Sequence, residues 1–406
     1  MSKPMRMLML TPQLPYPPQQ GTSLRNYHLL RYLAARHRVS LLSFAGPETL
    51  PEHVAHLQGF CHAVRTVATP TRSLARRLWT LASSSRPDMA WRLYSPEYAR
   101  ALADWLAAEP FDILQVEGIE MAPYLWGLQP PQPFVVFDDH NAEHVLQKRA
   151  FLTDLRHLRR WPAAAYSLVQ WRRLRRFERA VCRRCDGLVA VSQADAEALA
   201  ALDPRLRPLV VPNGVDLEAY RPDFPPQPGL AHPSLAFTGK MDFRPNIDAV
   251  LWFARQVLPR LWQEVPEAHL YVVGQSPSPR LDPLRAEPRI TITGRVDDVR
   301  PYIAAADLYV VPLRVGGGTR LKVLEAMAMG KALVSTSLGV EGLEVANGRH
   351  ALLADTPEAF AHQVAALLAD AGRRRALGQA ARAFVEQGYG WEKIGPRLEE
   401  AYRRRN

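Results

Sequence analysis

The stretch Gly316-Gly317-Gly318-Thr319-Arg320-Leu321-Lys322-Val323-Leu324-Glu325 opens with three glycines, then sets two cations and a carboxylate within six residues. Glycines let a backbone turn sharply and lie close to a ligand. A helix beginning at Thr319 would aim free N–H groups and its positive dipole end at whatever sits above the turn. Arg320 and Lys322 would add side-chain charge to that anion site. Glu325 falls on the helix face shared by Gly318, Leu321 and Lys322. A carboxylate there can accept two hydrogen bonds from a vicinal diol such as a ribose. The same spacing also suits a glycine turn before a core helix, with Glu325 solvated.

These residues need a strand before them and a helix under them. The apolar run Leu308-Tyr309-Val310-Val311-Pro312-Leu313 predicts a buried strand. Gly330, after Ala326-Met327-Ala328-Met329, predicts the helix stop. The same grammar recurs along the chain. An expected strand at 7–10 leads through a proline-rich loop to Gly21 and Thr22, at the start of an expected helix 24–35. That is a second strand–loop–helix anion site or a plain connection. An expected strand at 133–137 ends in Asp138-Asp139-His140-Asn141-Ala142-Glu143. Polar residues just after a buried strand are where open α/β sheets bind ligands. His140 reads as a site residue or a satisfied structural histidine, with Asp139 the adjacent alternative. Further on, an expected strand at 234–238 is followed by Gly239-Lys240-Met241-Asp242-Phe243-Arg244 and a helix over 247–261. A strand near 290–292 is followed by Gly294-Arg295-Val296-Asp297-Asp298. The alternation of strands and helices predicts an α/β fold with parallel sheets.

At 406 residues the chain is too long for one ordinary core, and two domains of ~200 residues each are expected. A hydrophobic content of 47% with 22% charged residues is globular. The net charge of +11 favours anionic partners. No run of ~18 apolar residues predicts a membrane span, and the apolar run at 5–10 meets prolines too soon for a leader. Cys61, Cys182 and Cys185 form neither a disulfide framework nor paired metal-ligand motifs, which points to a reduced, cytoplasmic setting. Two segments, Arg72–Arg100 and Arg156–Arg184, interleave arginines with Trp79, Trp91 and Tyr94, and with Trp161, Tyr166 and Trp171. They read as surfaces for peripheral contact with an anionic membrane, or as solvated helix faces whose aromatics enter the core. Residues 224–229 read as a semi-rigid linker. No nucleic-acid module is recognisable, and no nucleic-acid partner is expected. No G-x-G-x-x-G follows the first strand, which disfavours a dehydrogenase.

Two motifs taken together resemble a known family. Glu325-Ala326-Met327-Ala328 and Pro212-Asn213-Gly214, about 20 residues after an expected strand at 189–192, are similar to the motifs of the retaining glycosyltransferases of family 4, also called group 1. The resemblance extends in order along nearly the whole chain. It implies the GT-B architecture, two Rossmann-like α/β domains facing across a cleft. The expected domains are 1–212 with a returning helix 391–406, on the acceptor side, and 213–390, on the nucleotide-sugar side. It implies transfer of a sugar from a nucleoside-diphosphate-sugar, a co-substrate, to a hydroxyl acceptor with retention. No cofactor and no metal are implied. Polysaccharide or cell-envelope glycan assembly is the implied setting, with a lipid-linked acceptor at the inner membrane face in the membrane reading. By position, His140 takes the catalytic contact to the donor sugar. Gly21, Lys240, Arg244, Gly318, Thr319 and Arg320 take the donor diphosphate, Arg244 being offset by one from the family position. Glu325 takes the ribose, the loop with Arg295 and Val296 the nucleobase, and Gly316 and Gly317 the donor-sugar loop. The family carries a glutamate where this chain has Gly317. That departure favours the alternative of a non-catalytic nucleotide-sugar or glycan binding protein.

Overall fold

Runs of Val, Leu, Ile and Met become parallel strands buried on both faces, which is why they read as continuous apolar segments. The structure, a computed structural model, describes residues 4–18, 21–155, 160–316 and 320–403. Gly317, Gly318, Thr319, Arg156 and Arg159 lie outside the described residues. The chain divides into two compact units, Met1–Pro212 with Ile394–Asn406, and Asn213–Lys393.

In the first unit the strands are β1 Arg6–Thr11, β2 Arg38–Ala45, β3 Ala63–Ala68, β4 Ile113–Glu117, β5 Phe134–Asp139, β6 Gly187–Ala190 and β7 Leu209–Val210. They pair in parallel in the order β3-β2-β1-β4-β5-β6-β7. On β1, Leu8 stands between Ser40 of β2 and Leu114 of β4. Leu8, Leu10, Phe44, Tyr98, Trp105 and Phe137 are all part of one buried core.

In the second unit the strands are β8 Ser234–Thr238, β9 His269–Val273, β10 Ile290–Gly294, β11 Leu308–Val311, β12 Leu333–Ser335 and β13 Leu352–Leu353. Their order is β10-β9-β8-β11-β12-β13, again parallel. Its core includes Leu235, Phe237, Val310, Val323, Leu324 and Phe360. Each order reverses once, between β1 and β4 and between β8 and β11. Loops leaving the carboxyl ends of those strands diverge there and leave a crevice, where such sheets bind ligands.

Three local expectations are corrected. The helix expected at 24–35 is Gly21–Ala34, so Gly21 is its first residue rather than part of the preceding loop. The single helix expected at 247–261 is Arg244–Trp252, a π-helical turn Phe253–Val257, then Leu258–Glu264. Pro259 has no N–H to donate and its ring crowds the carbonyl of Arg255, so the helix widens just before it. The segment 224–229 is not a linker. The boundary between the units falls at Pro212. Phe224 packs on the second unit's core, Arg300 lies 4.6 Å over its ring, and Gln227 N donates to Pro301 O at 2.8 Å.

Candidate functional site

The second unit gathers its charges at the β8–β11 reversal. Gly239 leaves β8 with φ +151, and a Cβ there would lie 2.8 Å from both Asn246 Nδ2 and Lys322 Nζ. Asn246 Nδ2 also donates to Lys240 O at 2.8 Å, which fixes that loop. The Lys240 side chain is exposed and pairs with Asp242 at 3.4 Å. Arg244, exposed, begins the helix Arg244–Trp252.

From the β11 side, Gly316 turns with φ +105 and a Cβ there would meet Pro245 at 3.1 Å. Arg320 is buried and immediately precedes the helix Leu321–Ala328. In that helix, Lys322 Nζ donates to Asn246 Oδ1 at 2.8 Å and stands 4.1 Å over the Phe237 ring. Burial, with Arg320 adding to it, brings the Lys322 ammonium down to about 7. Glu325 is partly buried rather than solvated. It accepts the Tyr220 hydroxyl at 3.2 Å, and burial raises its carboxyl above the usual range. The structure therefore brings Lys240, Arg244, Gly316 and Arg320 to one sheet edge, with Glu325 one turn further along the helix. Arg295 and Val296 follow Gly294 (φ +74) after β10, at the same carboxyl edge but two strands from β8.

In the first unit the corresponding edge carries paired charges. Glu117 ends β4, fully buried, and its Oε2 lies 2.8 Å from His140 Nε2 just beyond β5. Gln115 Nε2 donates to the other Glu117 oxygen at 2.9 Å. Asp138 Oδ2 accepts Arg25 Nε at 3.1 Å and Nη2 at 2.7 Å, and Arg25 Nη1 donates to Pro212 O at 3.1 Å. Burial opposes a charged His140, but the hydrogen bond to Glu117 and the charge of Asp138 outweigh it and raise the imidazole. Burial likewise pushes Glu117 up, so this pair holds a proton between its two members. Asp139 is buried with neither carboxylate oxygen hydrogen-bonded. Burial, then the carboxylates of Glu178, Glu143 and Asp195, push it well above the usual range.

A cavity of about 720 Å³ opens over this edge, lined among others by Tyr16, Ser23, Arg92, Glu120, His140 and Glu143. Burial, with Glu120 nearby, raises Glu143 to about 8. Gly21 stands beside the cavity at the start of the helix Gly21–Ala34. Glu117, Asp138 and His140 offer ligand atoms within 4.8 Å of one another. Within that trio Asp138 is paired with Arg25 and Glu117 with His140. Arg25, Glu117 and Tyr220 are the neighbours that sequence reading did not assign. An arginine among the apolar residues of its helix and a glutamate closing a buried strand were the available signals.

The family models agree with the geometry. Residues 20–219 match the model described as Glycosyltransferase Family 4, and residues 232–370 the model Glycosyl transferases group 1. A GDP-mannose-dependent phosphatidylinositol monomannoside mannosyltransferase of Corynebacterium glutamicum is 28% identical over 46% of this chain and 54% of its own length. The match thus spans about half of that relative. Alpha-maltose-1-phosphate synthase of Mycolicibacterium smegmatis is 26% identical over 65% of this chain and 74% of its own. Among solved structures, sucrose-phosphate synthase from Thermosynechococcus elongatus aligns with a TM-score of 0.69 at 18% identity, covering 98% of both chains. Anabaena HepE in complex with UDP and glucose aligns with a TM-score of 0.66 at 14% identity, again over 98% of both. These likenesses carry the fold, two parallel α/β sheets of the GT-B class. With two family models spanning most of its length in the expected order, the chain belongs to glycosyltransferase family 4.

Proposed function

We propose that this protein transfers a sugar from a nucleoside-diphosphate-sugar to a hydroxyl acceptor, with retention of configuration and without a metal. The observation that carries the reading is the gathering of Lys240, Arg320 and Lys322 at the β8–β11 edge, beside a carboxylate held by Tyr220. Such a set suits a diphosphate and a ribose. Fixed cations stabilise the charge that grows on a departing diphosphate, which is the part a metal would otherwise take. His140, held by Glu117, would touch the donor sugar. The departing phosphate would deprotonate the acceptor on the same face. The Corynebacterium relative is named for GDP-mannose and HepE was solved with UDP, so a hexose on either nucleotide is a suitable donor. Cell-envelope glycan assembly is the proposed setting. The test is incubation with GDP-mannose or UDP-glucose without acceptor. Slow release of nucleoside diphosphate supports an enzyme. A rise in Tm with no release supports the non-catalytic binder that Gly317 allows; a ligand at 100 times its Kd adds about 2.7 kcal/mol.

Peripheral contact with an anionic membrane, at its cytoplasmic face, belongs to the same proposal. The helix Leu74–Ser83 exposes Leu74, Leu78 and Trp79, and the helix Trp161–Cys182 exposes Trp161, Tyr166 and Val169. The two helices are joined where Arg173 Nη2 donates to Leu81 O at 2.8 Å. No described helix is long and apolar enough to cross a membrane. Not every expected contact residue faces out. Trp91 and Tyr94 pack on each other, Tyr94 stacks on Tyr124, and Trp171 stacks on Phe151. Arg72 pairs with Asp88. Arg172, Arg175 and Arg176 are exposed. Replacing those three with Gln should weaken binding to anionic vesicles by up to ~3 kcal/mol, at ~1 kcal/mol per basic residue. Wild-type protein that ignores such vesicles at low salt would end this reading.

A further inference from the structure

Lys322 is a cation in unfavourable surroundings. Among the described residues its Nζ meets one hydrogen-bond acceptor at 2.8 Å, Asn246 Oδ1, and one aromatic face, Phe237. The backbone of Gly239 presses against it closely enough that any side chain at 239 would collide with Nζ. On its own helix Arg320 repels it, and Glu325, already shared with Tyr220, attracts it. The loop after β8 brings Lys240 and Asp242, which pair with each other, and the helix after that loop brings the exposed Arg244 and the neutral Asn246. The charges that act on Nζ are one cation, Arg320, and one carboxylate, Glu325, which Tyr220 already engages. A group so placed favours its neutral amine until an anion arrives.

Resting on the donor reading above, we infer that Lys322 is a diphosphate-binding residue that takes up a proton from solvent when the donor binds. In the free protein the amine and ammonium forms coexist near pH 7, because burial lowers the group. A bound diphosphate supplies two negative charges and pulls the group back to ammonium. Binding and protonation are then linked. Affinity is level below about pH 7. Above it, affinity falls up to tenfold per pH unit, until the pH reaches the raised value of the complex.

The test is isothermal titration calorimetry with intact GDP-mannose or UDP-glucose, whose diphosphate esters do not themselves titrate near neutrality. Runs at pH 6, 7, 8 and 9, each in two phosphate-free buffers of different ionisation enthalpy, give the number of protons exchanged. Wild-type protein should take up close to one proton per sugar nucleotide at pH 8 and none at pH 6. Lys322→Met should bind more weakly and take up none at either pH. Lys322→Arg, permanently charged, should bind with an affinity independent of pH across the range. Circular dichroism of the three proteins identifies a variant that fails to fold, and the wild-type count stands without it. Binding by wild type without proton uptake overturns the inference while leaving the donor reading intact. Uptake of the same size in Lys322→Met also overturns it, since the proton then belongs to another group. Wild type that binds neither nucleotide sugar at any pH overturns the donor reading, and this inference with it.

Discussion

The two sheet edges handle buried charge in opposite ways. In the first unit Arg25 faces Asp138 and His140 faces Glu117, each with its own carboxylate. In the second unit Arg320, Lys322 and Lys240 gather near Glu325 and Asp242, and Lys240 pairs with Asp242 at the exposed rim. A paired edge is rigid and keeps a proton where it is needed. An edge rich in cations is strained until an anion binds. On the proposed donor reading, the first edge holds a group in place and the second receives one.

The largest effect should come from breaking the pairing of the first unit. Arg25 and Asp138 are both buried. Arg25→Met would strand the Asp138 carboxylate in the core, and leaving a buried charge unpaired costs about 3–5 kcal/mol. Urea unfolding measures this directly. Adding Asp138→Asn to Arg25→Met should restore much of the loss, because the stranded charge is removed. A single variant as stable as wild type would show that the pair is not what holds this edge.

His140 tests whether the rigid edge serves chemistry. His140→Ala should lower turnover ten- to a thousandfold, about 1.4–4 kcal/mol, with nucleotide affinity nearly unchanged. Wild-type turnover would return His140 to a structural role. Glu117→Gln refines the point through pH. The folded imidazole sits above its ordinary value of 6.5, chiefly through Glu117 against the effect of burial. Its pairing therefore stabilises fully below about 6.5 and is lost as pH rises through the folded value. Without the carboxylate, that loss and the alkaline limb of turnover should both move to lower pH. A limb that stays in place would mean the pair does not govern the rate.

Much of this was legible in the sequence, and the reason is physical. Parallel strands such as β8 and β11 are buried on both faces, so they appear as unbroken apolar runs, and the loops after them could be placed at once. Lys240, Arg320 and Glu325 follow from that placement. The pairings did not. Arg25 meets Asp138 across 113 positions and Tyr220 meets Glu325 across 105, and no local pattern marks either. The faces of Trp91 and Trp171 were equally hidden, because an aromatic beside an arginine reads the same pointing inward or outward. Gly318 and Thr319 lie outside the described residues, so their contact with a diphosphate stays a proposal.

Glu325 probes the second edge from its acidic side. Glu325→Ala should weaken nucleoside diphosphate binding by about 1.5–3 kcal/mol, the worth of hydrogen bonds to a charged group. It should also free the Tyr220 hydroxyl, so Tyr220→Phe is the control. If the carboxylate grips a ribose, Tyr220→Phe should cost much less than Glu325→Ala. Equal losses would mean that Glu325 acts only by holding Tyr220 in place.

The smallest effect should come from the exposed pair on that edge. Lys240 is exposed and tied to Asp242, and surface pairs of this kind are worth at most about 1 kcal/mol. Lys240→Ala should therefore weaken a diphosphate ligand by roughly fivefold or less at low salt. The loss should shrink further as salt rises, since an exposed charge is screened over about 8 Å at physiological ionic strength. Arg320→Ala should cost more and depend less on salt, because Arg320 is buried. Both variants should bind the nucleoside without phosphates as wild type does. Titrations of nucleoside and nucleoside diphosphate at two salt concentrations separate these cases. A Lys240→Ala loss larger than that of Arg320→Ala would mean that the exposed loop after β8, and not the buried cations of the next turn, carries the anion.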